Sequence, residues 1–154
     1  MGQDSFDIIT TEIGLNVKYI AVYDGHGIKG KEASNFAKEE IRKQLIKDKT
    51  IISGLNERTA AENYFKNIFN EIQNKFNKYY KDYESSGTCI IAVLIVDSHC
   101  FTINLGDSRA VIGAKQGANK VAYQMSIDHK VDRQDERQRI ELSGGMVSSE
   151  RNGK

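Results

Sequence analysis

The stretch Gly87–Val96 is apolar at nearly every position, a pattern typical of a strand that is buried on both faces of a sheet. A turn follows at residues 97–99, and residues 100–105 then alternate apolar with polar side chains. Residues 110–112 and 121–125 resume a strand pattern on either side of a predicted loop. Strands joined by such short turns pair antiparallel, so this part of the chain predicts an antiparallel sheet.

Three other segments have the apolar spacing of helices packed on a core. Residues 31–47 carry charged positions between apolar side chains three and four apart. Residues 59–62, Thr-Ala-Ala-Glu, have the form of a capping box and predict the start of a long second helix. Its apolar stripe is interpreted as core and consists of Ala61, Tyr64, Phe65, Ile68, Phe69, Ile72, Phe76, Tyr79, Tyr80 and Tyr83. A third helix is predicted over residues 132–142, so the fold class is α+β.

The balance of charges argues against nucleic acid as a partner. Lysine and arginine total 22 against 21 acidic residues, for a net charge of +1. The longest strongly apolar run, residues 89–96, is too short to span a bilayer, and no signal peptide opens the chain. We therefore expect a single soluble domain without a membrane partner, located in the cytoplasm or the nucleus.

The two cysteines are predicted to be reduced core thiols. A turn at residues 97–98 would pair Cys100 with Ile95 or Val96 and leave Cys89 opposite Gly106, so the two sulfur atoms would not face each other. Without C-x-x-C spacing they also make no zinc site.

A short predicted strand, residues 19–23, runs directly into Asp24-Gly25-His26-Gly27. This places a carboxylate and an imidazole two residues apart where the chain leaves a sheet. Aspartate is a hard oxygen ligand for magnesium or manganese, and histidine moves protons most readily near neutral pH. The segment is therefore a candidate for metal or acid–base chemistry.

The same segment allows two other interpretations. Gly25-x-Gly27-x-x-Gly30 has the form of a dinucleotide fingerprint, which requires an acidic residue about 20 positions later at the end of a second parallel strand. Asp48 has that spacing but follows a helical stretch, and Asp24 would repel a pyrophosphate. A glycine-rich turn without a ligand is the other alternative, and it leaves the nearness of Asp24 and His26 unexplained.

Several separated segments occur in an order and spacing that one enzyme family shares. They are Gln3-Asp4-Ser5-Phe6, Tyr23-Asp24-Gly25-His26-Gly27, Ser86-Gly87-Thr88, Asn104-Leu105-Gly106-Asp107-Ser108-Arg109-Ala110, Asp128-His129-Lys130, Glu136-Arg137-Gln138-Arg139-Ile140 and Gly144-Gly145-Met146-Val147. Together they resemble the metal-dependent protein serine/threonine phosphatases of type 2C. The resemblance identifies residues 1–154 as part of a type 2C catalytic domain, an antiparallel β-sandwich flanked by helices.

The resemblance implies two magnesium or manganese ions at one end of the sandwich. Asp24 would bridge the ions, the Gly25 carbonyl would ligate one of them, and Asp4 would hold metal-bound water. Asp107 resembles an aspartate near an additional, weaker metal position. Hydroxide held by the two ions would attack phosphorus, and His26 would protonate the leaving oxygen. The implied substrates are proteins that carry phosphoserine or phosphothreonine.

Some of these residues also have ordinary structural explanations. Without the resemblance, Asp107 would belong to a turn between strands in which Arg109 pairs with its carboxylate. Asp4 alone would be a solvated residue near the chain start. His129 and Lys130 are interpreted as structural, in a loop that enters a helix.

The sequence departs from the family pattern in its supply of metal ligands. Two further carboxylates, from a later Asp-Gly segment and a late Asp-Asn pair, do not occur, and neither does the basic residue that binds phosphate upstream of Asp4. Gln3 also stands where many members have glutamate. Asp4 and Asp24 supply two formal charges for two dications that each want about six oxygen ligands. We therefore expect the N-terminal part of a longer phosphatase.

Two other functions stay open on the sequence alone: a non-catalytic phosphatase-like binding or regulatory module, and a dinucleotide-binding protein. A sandwich that is cut partway through would leave a sheet edge or face uncovered, so we also expect a homodimer through that face.

Overall fold

The computed structural model describes residues 2–80 and 85–148. Helices and strands occur in the order of an α+β protein, as predicted. The elements are β1 (Ser5–Ile9), β2 (Val17–His26), α1 (Gly30–Lys47), α2 (Lys49–Ser53), α3 (Arg58–Tyr79), β3 (Gly87–Val96), β4 (His99–Leu105), β5 (Val111–Gln116), β6 (Asn119–Gln124) and α4 (Gln134–Leu142). Every helix within the described ranges is too short or too polar to cross a membrane.

Strands β1 to β4 form one antiparallel sheet in chain order. Helix α1 contacts β1, β2 and β3 on one face, and α3 lies beside α1 and reaches β4. Alternation along β2 turns Tyr19 and Tyr23 toward these helices, where both are buried. Ile41 and Leu45 of α1 and Phe65 of α3 close the core from the helix side. The predicted helix of residues 31–47 and the predicted strand of residues 87–96 are thus confirmed.

The opposite face of the same sheet is apolar and exposed. Phe6 and Ile8 of β1 are 71% and 57% exposed, and Ile20 and Val22 of β2 are each 44% exposed. They alternate with the buried positions of the same strands. This face corresponds to the open face expected from the sequence.

Strands β5 and β6 form a separate two-stranded sheet. The prediction of a loop over residues 113–120 is wrong, because β5 continues to Gln116 and β6 begins at Asn119. Every side chain of β5 is exposed, so no buried face imposes an alternating apolar pattern that the sequence could reveal. Gly117, with φ of +64°, supplies the left-handed turn between the strands.

The predicted capping box at the start of α3 is also wrong. Glu57 is the N-cap residue and makes no side-chain capping bond, so Thr59 lies inside the first turn. Glu62 pairs with Lys66 instead of reaching back to the helix start. At the other end, Tyr79 is 68% exposed and ends the helix, while Tyr83 lies outside the described residues.

The cysteines lie as the hairpin predicts, with Cys100 opposite Ile95 and Cys89 beside Gly106. Both are free. Cys89 is half-buried, but Cys100 is exposed, so the prediction of a core thiol is wrong at Cys100. The reason is the alternation of β4, which turns Ile103 toward the helices and Cys100 toward the open face.

Candidate functional site

Asp24, Gly25 and His26 are the last three residues of β2, which continues further than the strand predicted over residues 19–23. Alternation exposes Asp24 and His26 on the open face and buries Gly25 on the helix side. The pairing of Asp24 with Cys89 and of His26 with Gly87 fixes this segment to β3. The candidate residues therefore stand on a rigid strand end rather than on a free loop.

The strand register brings further carboxylates to the same end of the sheet. Ser5 pairs with Tyr23, so Asp4 lies beside Asp24 at the next position of the ladder. On the other side, the thiol of Cys89 lies 3.5 Å from Oδ1 of Asp107. The row across the sheet thus runs from Asp4 through Asp24 and Cys89 to the loop that carries Asp107, and all three carboxylates are exposed.

The segment Ser86-Gly87-Thr88 supports this strand end, a role that the sequence did not reveal. Thr88 Oγ1 donates to the Asp24 carbonyl at 3.2 Å, and Ser86 Oγ accepts the Lys29 N–H at 3.1 Å. A Cβ atom on Gly87 would come within 2.8 Å of His26 Nε2, so glycine leaves the space in which the imidazole lies. The only sequence signal for these roles was the occurrence of the tripeptide directly before a buried strand.

Residues 126–129 support the loop that carries Asp107. Arg109 donates through Nε and Nη2 to the two carboxylate oxygens of Asp128, at 2.9 and 2.6 Å. The alternative in which Arg109 pairs with Asp107 is therefore wrong, and Asp107 faces Cys89 instead. The hydrogen bonds from Arg109 hold the pKa of the Asp128 carboxyl below its usual value.

His129 has a structural place, as interpreted from the sequence. Its backbone N–H donates to the Gly106 carbonyl at 2.9 Å, and its Nδ1 accepts the Gly106 N–H at 3.3 Å. This reciprocal pair fixes the backbone next to Asp107. Lys130 lies 3.6 Å from the Asp128 carboxylate.

Carboxylate and carbonyl oxygens are the donor types that magnesium and manganese prefer, so the chemistry of Asp4, Asp24, Gly25 and Asp107 suits these ions. The number of donors does not suffice for a complete centre. Among residues 2–80 and 85–148, no three His, Cys, Asp or Glu side chains are grouped closely enough to hold a metal ion.

The surroundings of the glycine motif do not suit a dinucleotide. A fingerprint requires a parallel strand–helix–strand unit, but β2 has antiparallel neighbours on both sides. The space next to Gly25 is filled by the carbonyl oxygens of Gln3 and Gly30. The dinucleotide interpretation therefore has no structural support.

The chain matches a family model described as "Protein phosphatase 2C" over residues 10–154. It is 34% identical to "Probable protein phosphatase 2C 35" of Arabidopsis thaliana over 96% of this chain and 41% of that protein. It is 33% identical to "Probable protein phosphatase 2C 2" of Paramecium tetraurelia over 88% of this chain and 46% of that protein. The chain thus spans less than half the length of these curated relatives.

The fold agrees with these matches. The structure of a serine-threonine phosphatase 2C from Toxoplasma gondii superimposes with a TM-score of 0.78 at 22% identity, covering 99% of this chain and 53% of that one. A bacterial serine phosphatase superimposes with a TM-score of 0.68 at 22% identity, covering 96% of this chain and 55% of that one. Because the family model covers nearly all of the sequence, the chain belongs to the protein phosphatase 2C family.

Proposed function

We propose that this chain is the N-terminal part of a metal-dependent protein phosphatase that hydrolyses phosphoserine and phosphothreonine in protein substrates. The observation that carries the proposal is the register of β1, β2 and β3, which brings Asp4, Asp24, Gly25 and His26 to one end of a sheet in a chain of this family. Its location in the cytoplasm or the nucleus stays a prediction.

The proposed roles are those that the resemblance to the family implies, and the positions of the residues are compatible with them. Asp24 and the Gly25 carbonyl would hold two magnesium or manganese ions, with Asp4 beside them and Asp107 at an additional position. When bound, such ions lower the pKa of water and neutralise charge on the transferring phosphoryl group. His26 is exposed with its ring against Gly87, so it can reach a substrate and donate a proton to the leaving oxygen.

The shortage of donors leads to the second part of the proposal. Two dications need more carboxylate than the described residues bring together. We infer that the remaining ligands lie in sequence beyond residue 154 of a longer protein. The 154-residue chain alone should then hydrolyse phosphate esters poorly.

The test compares the 154-residue chain with a longer product of the same reading frame, using p-nitrophenyl phosphate and a phosphothreonine peptide with Mn²⁺. We expect turnover by the longer product, loss of it with a chelator, and loss of most of it in Asp24→Asn. Asp97→Asn is the matched control, because Asp97 lies at the opposite end of the sheet and its φ of +51° suits asparagine. Full turnover by the short chain, lost in Asp24→Asn, would overturn the inference of missing ligands.

His26→Ala in the longer product tests the proton donor. Phosphoserine has a poor leaving group that needs protonation, whereas p-nitrophenolate needs little. We expect a large loss of rate on the peptide and a small loss on p-nitrophenyl phosphate. Equal losses would reassign His26 to a structural or metal-binding role.

A non-catalytic binding module is the second candidate, and the incomplete ligand set is the observation that favours it. It predicts that the longer product binds phosphopeptides without turnover, and that Asp24→Asn changes neither property.

We also propose that the 154-residue chain forms a homodimer through the open sheet face. Phe6, Ile8, Ile20 and Val22 make an exposed apolar surface on adjacent strands, which a second copy of the same face can cover. Light scattering during size exclusion should give the mass of a dimer, and Phe6→Lys should convert it to a monomer. Leu15→Lys is the control, at a 94% exposed position outside the strands. A stable monomer of the unchanged chain would refute this proposal.

A further inference from the structure

The space next to each glycine of Gly25-x-Gly27-x-x-Gly30 is filled by other atoms of the same chain. A Cβ atom on Gly25 would lie 2.3 Å from the Gly30 carbonyl oxygen and 2.6 Å from that of Gln3. A Cβ atom on Gly30 would lie 2.2 Å from Oε1 of Gln3. Gly27 has φ of +80°, and a Cβ atom there would lie 2.1 Å from the Ser85 carbonyl oxygen. The motif therefore packs against backbone at Gly25 and Gly27 and against the Gln3 side chain at Gly30, and it leaves no room for a phosphate at these positions.

Gln3 is the residue against which this loop packs. Its Nε2 donates to the Gly27 carbonyl at 2.9 Å, while its own carbonyl accepts the hydroxyl of Ser34 at 2.7 Å. Ser34 is completely buried, so this second bond ties residue 3 to the core side of α1. Lys31 Nζ donates to the Asp4 carbonyl at 2.8 Å. Three hydrogen bonds thus hold residues 3 and 4 against the glycine loop and against α1.

We propose that Gln3 is a positioning residue that sets the place of Asp4 beside Asp24. The loop of residues 25–30 follows Asp24 directly, and Asp4 follows Gln3 directly. A bond between the Gln3 side chain and Gly27 therefore fixes the two carboxylates relative to each other. Glutamine suits this position because its carboxamide can donate to the Gly27 carbonyl, which also accepts the Gly30 N–H at 3.3 Å, whereas an ionised glutamate has no donor.

This proposal deepens the proposed function, since the relative place of Asp4 and Asp24 matters for catalysis only if they act at one centre. Its test measures no hydrolysis, so the two proposals can fail separately. A phosphatase in which Gln3 has no effect on the two aspartates would refute only the positioning role.

The test uses Gln3→Met in the 154-residue chain, which keeps the length of the side chain and removes both polar atoms. Gln44→Met is the matched control, because Gln44 Nε2 also makes one side-chain bond, to Asp48 at 2.7 Å, but does so in α1 away from the site. Each variant should lower the melting temperature by about 2–4 °C, as expected for one lost hydrogen bond.

The readout that separates positioning from stability is the set of cross-strand NOEs between residues 4 and 24. We expect these NOEs to disappear in Gln3→Met, with faster amide exchange in residues 25–30, and to persist in Gln44→Met. Persistence of the NOEs in both variants would overturn the proposal.

A pair of substitutions checks the contact itself. Gly30→Ala should lower the melting temperature less in a Gln3→Ala background than in the unchanged chain, because the removed carboxamide relieves the clash with Gln3 and leaves only the one with the Gly25 carbonyl carbon at 2.7 Å. If the two substitutions lower the melting temperature additively, the contact between Gln3 and Gly30 is contradicted.

Discussion

The chain has two regions, residues 2–105 and residues 106–148, and a different kind of contact stabilises each of them. Among the described residues, the apolar core consists of side chains between Ile9 and Ile103. In residues 106–148 the buried side chains are polar, namely Ser126, Asp128 and Glu136, and every position of β5 is exposed. The first region is therefore stabilised by apolar burial, and the second depends on hydrogen bonds and ion pairs.

This difference divides the candidate site. Asp24, Gly25 and His26 lie on β2 and Asp4 directly precedes β1, and both strands are buried on the helix side. Asp107 lies where the second region begins. A hydrogen bond of 2.9 Å from Asn104 Nδ2 to the Ile127 carbonyl connects the two regions. We expect the first four residues to keep their geometry under changes that displace Asp107.

The largest effect should come from the core of the first region. Ile41 is fully buried in α1, so Ile41→Ala should lower the free energy of unfolding by about 2–5 kcal/mol. Ile112→Ala makes the same change in β5, where Ile112 is 48% exposed, and should alter it by at most about 0.5 kcal/mol. Urea denaturation measures both changes in the free energy of unfolding, provided that the m-value stays constant. Similar losses would mean that the second region shares the apolar stabilisation.

A smaller, local effect should follow from Arg109→Lys. Lysine keeps the charge but cannot make the two parallel bonds to Asp128, so the loop between β4 and β5 loses its lateral support. Amide hydrogen exchange should become faster in residues 106–128 and stay unchanged in α1 and β3. Arg137→Lys, on an exposed position of α4, is the control and should change neither region. Faster exchange throughout the chain would show that the regions unfold as one unit.

The sequence predicted elements that have a buried face. Burial imposes period 2 on β2 and an apolar run on β3, and both patterns could be recognised. The hairpin of β5 and β6 has no such face, so the sequence predicts strands only over residues 110–112 and 121–125 and a loop over residues 113–120. The start of α3 was misplaced because Thr59 and Glu62 have the spacing of a capping box, although Glu57 takes the N-cap position.

The candidate site also contains residues that the sequence could predict and residues that it could not. Asp24 and His26 could be predicted because they directly follow a strand pattern. The bond from Thr88 to the Asp24 carbonyl joins residues 64 positions apart, and that from Arg109 to Asp128 joins residues 19 apart. Such partners depend on sheet register and loop path, which the residue types alone do not specify.

Acid should weaken the second region before the first. The hydrogen bonds from Arg109 place the pKa of Asp128 in the folded chain below its unfolded value of about 3.9. The stabilisation is therefore complete above about pH 4 and is lost as the pH falls through the lowered pKa. Amide shifts of β5 and β6, followed by NMR on acidification, should change in this range. The change should be absent in Asp128→Asn, and its persistence there would assign it to another carboxyl group.

The smallest predicted effect concerns Cys89, whose thiol lies where the two regions meet. Burial raises the pKa of the Cys89 thiol and lowers its thiolate content, and it also shields the sulfur from a reagent, whereas Cys100 is exposed. Iodoacetamide at pH 8 should therefore label Cys100 several-fold faster, as mass spectrometry of peptides can measure. Arg109→Lys should raise the rate at Cys89, because it loosens the loop of Gly106 and Asp107 that covers the sulfur, and should leave the rate at Cys100 unchanged. Equal labelling of the two cysteines in the unchanged chain would mean that the loop of Gly106 and Asp107 does not shield Cys89.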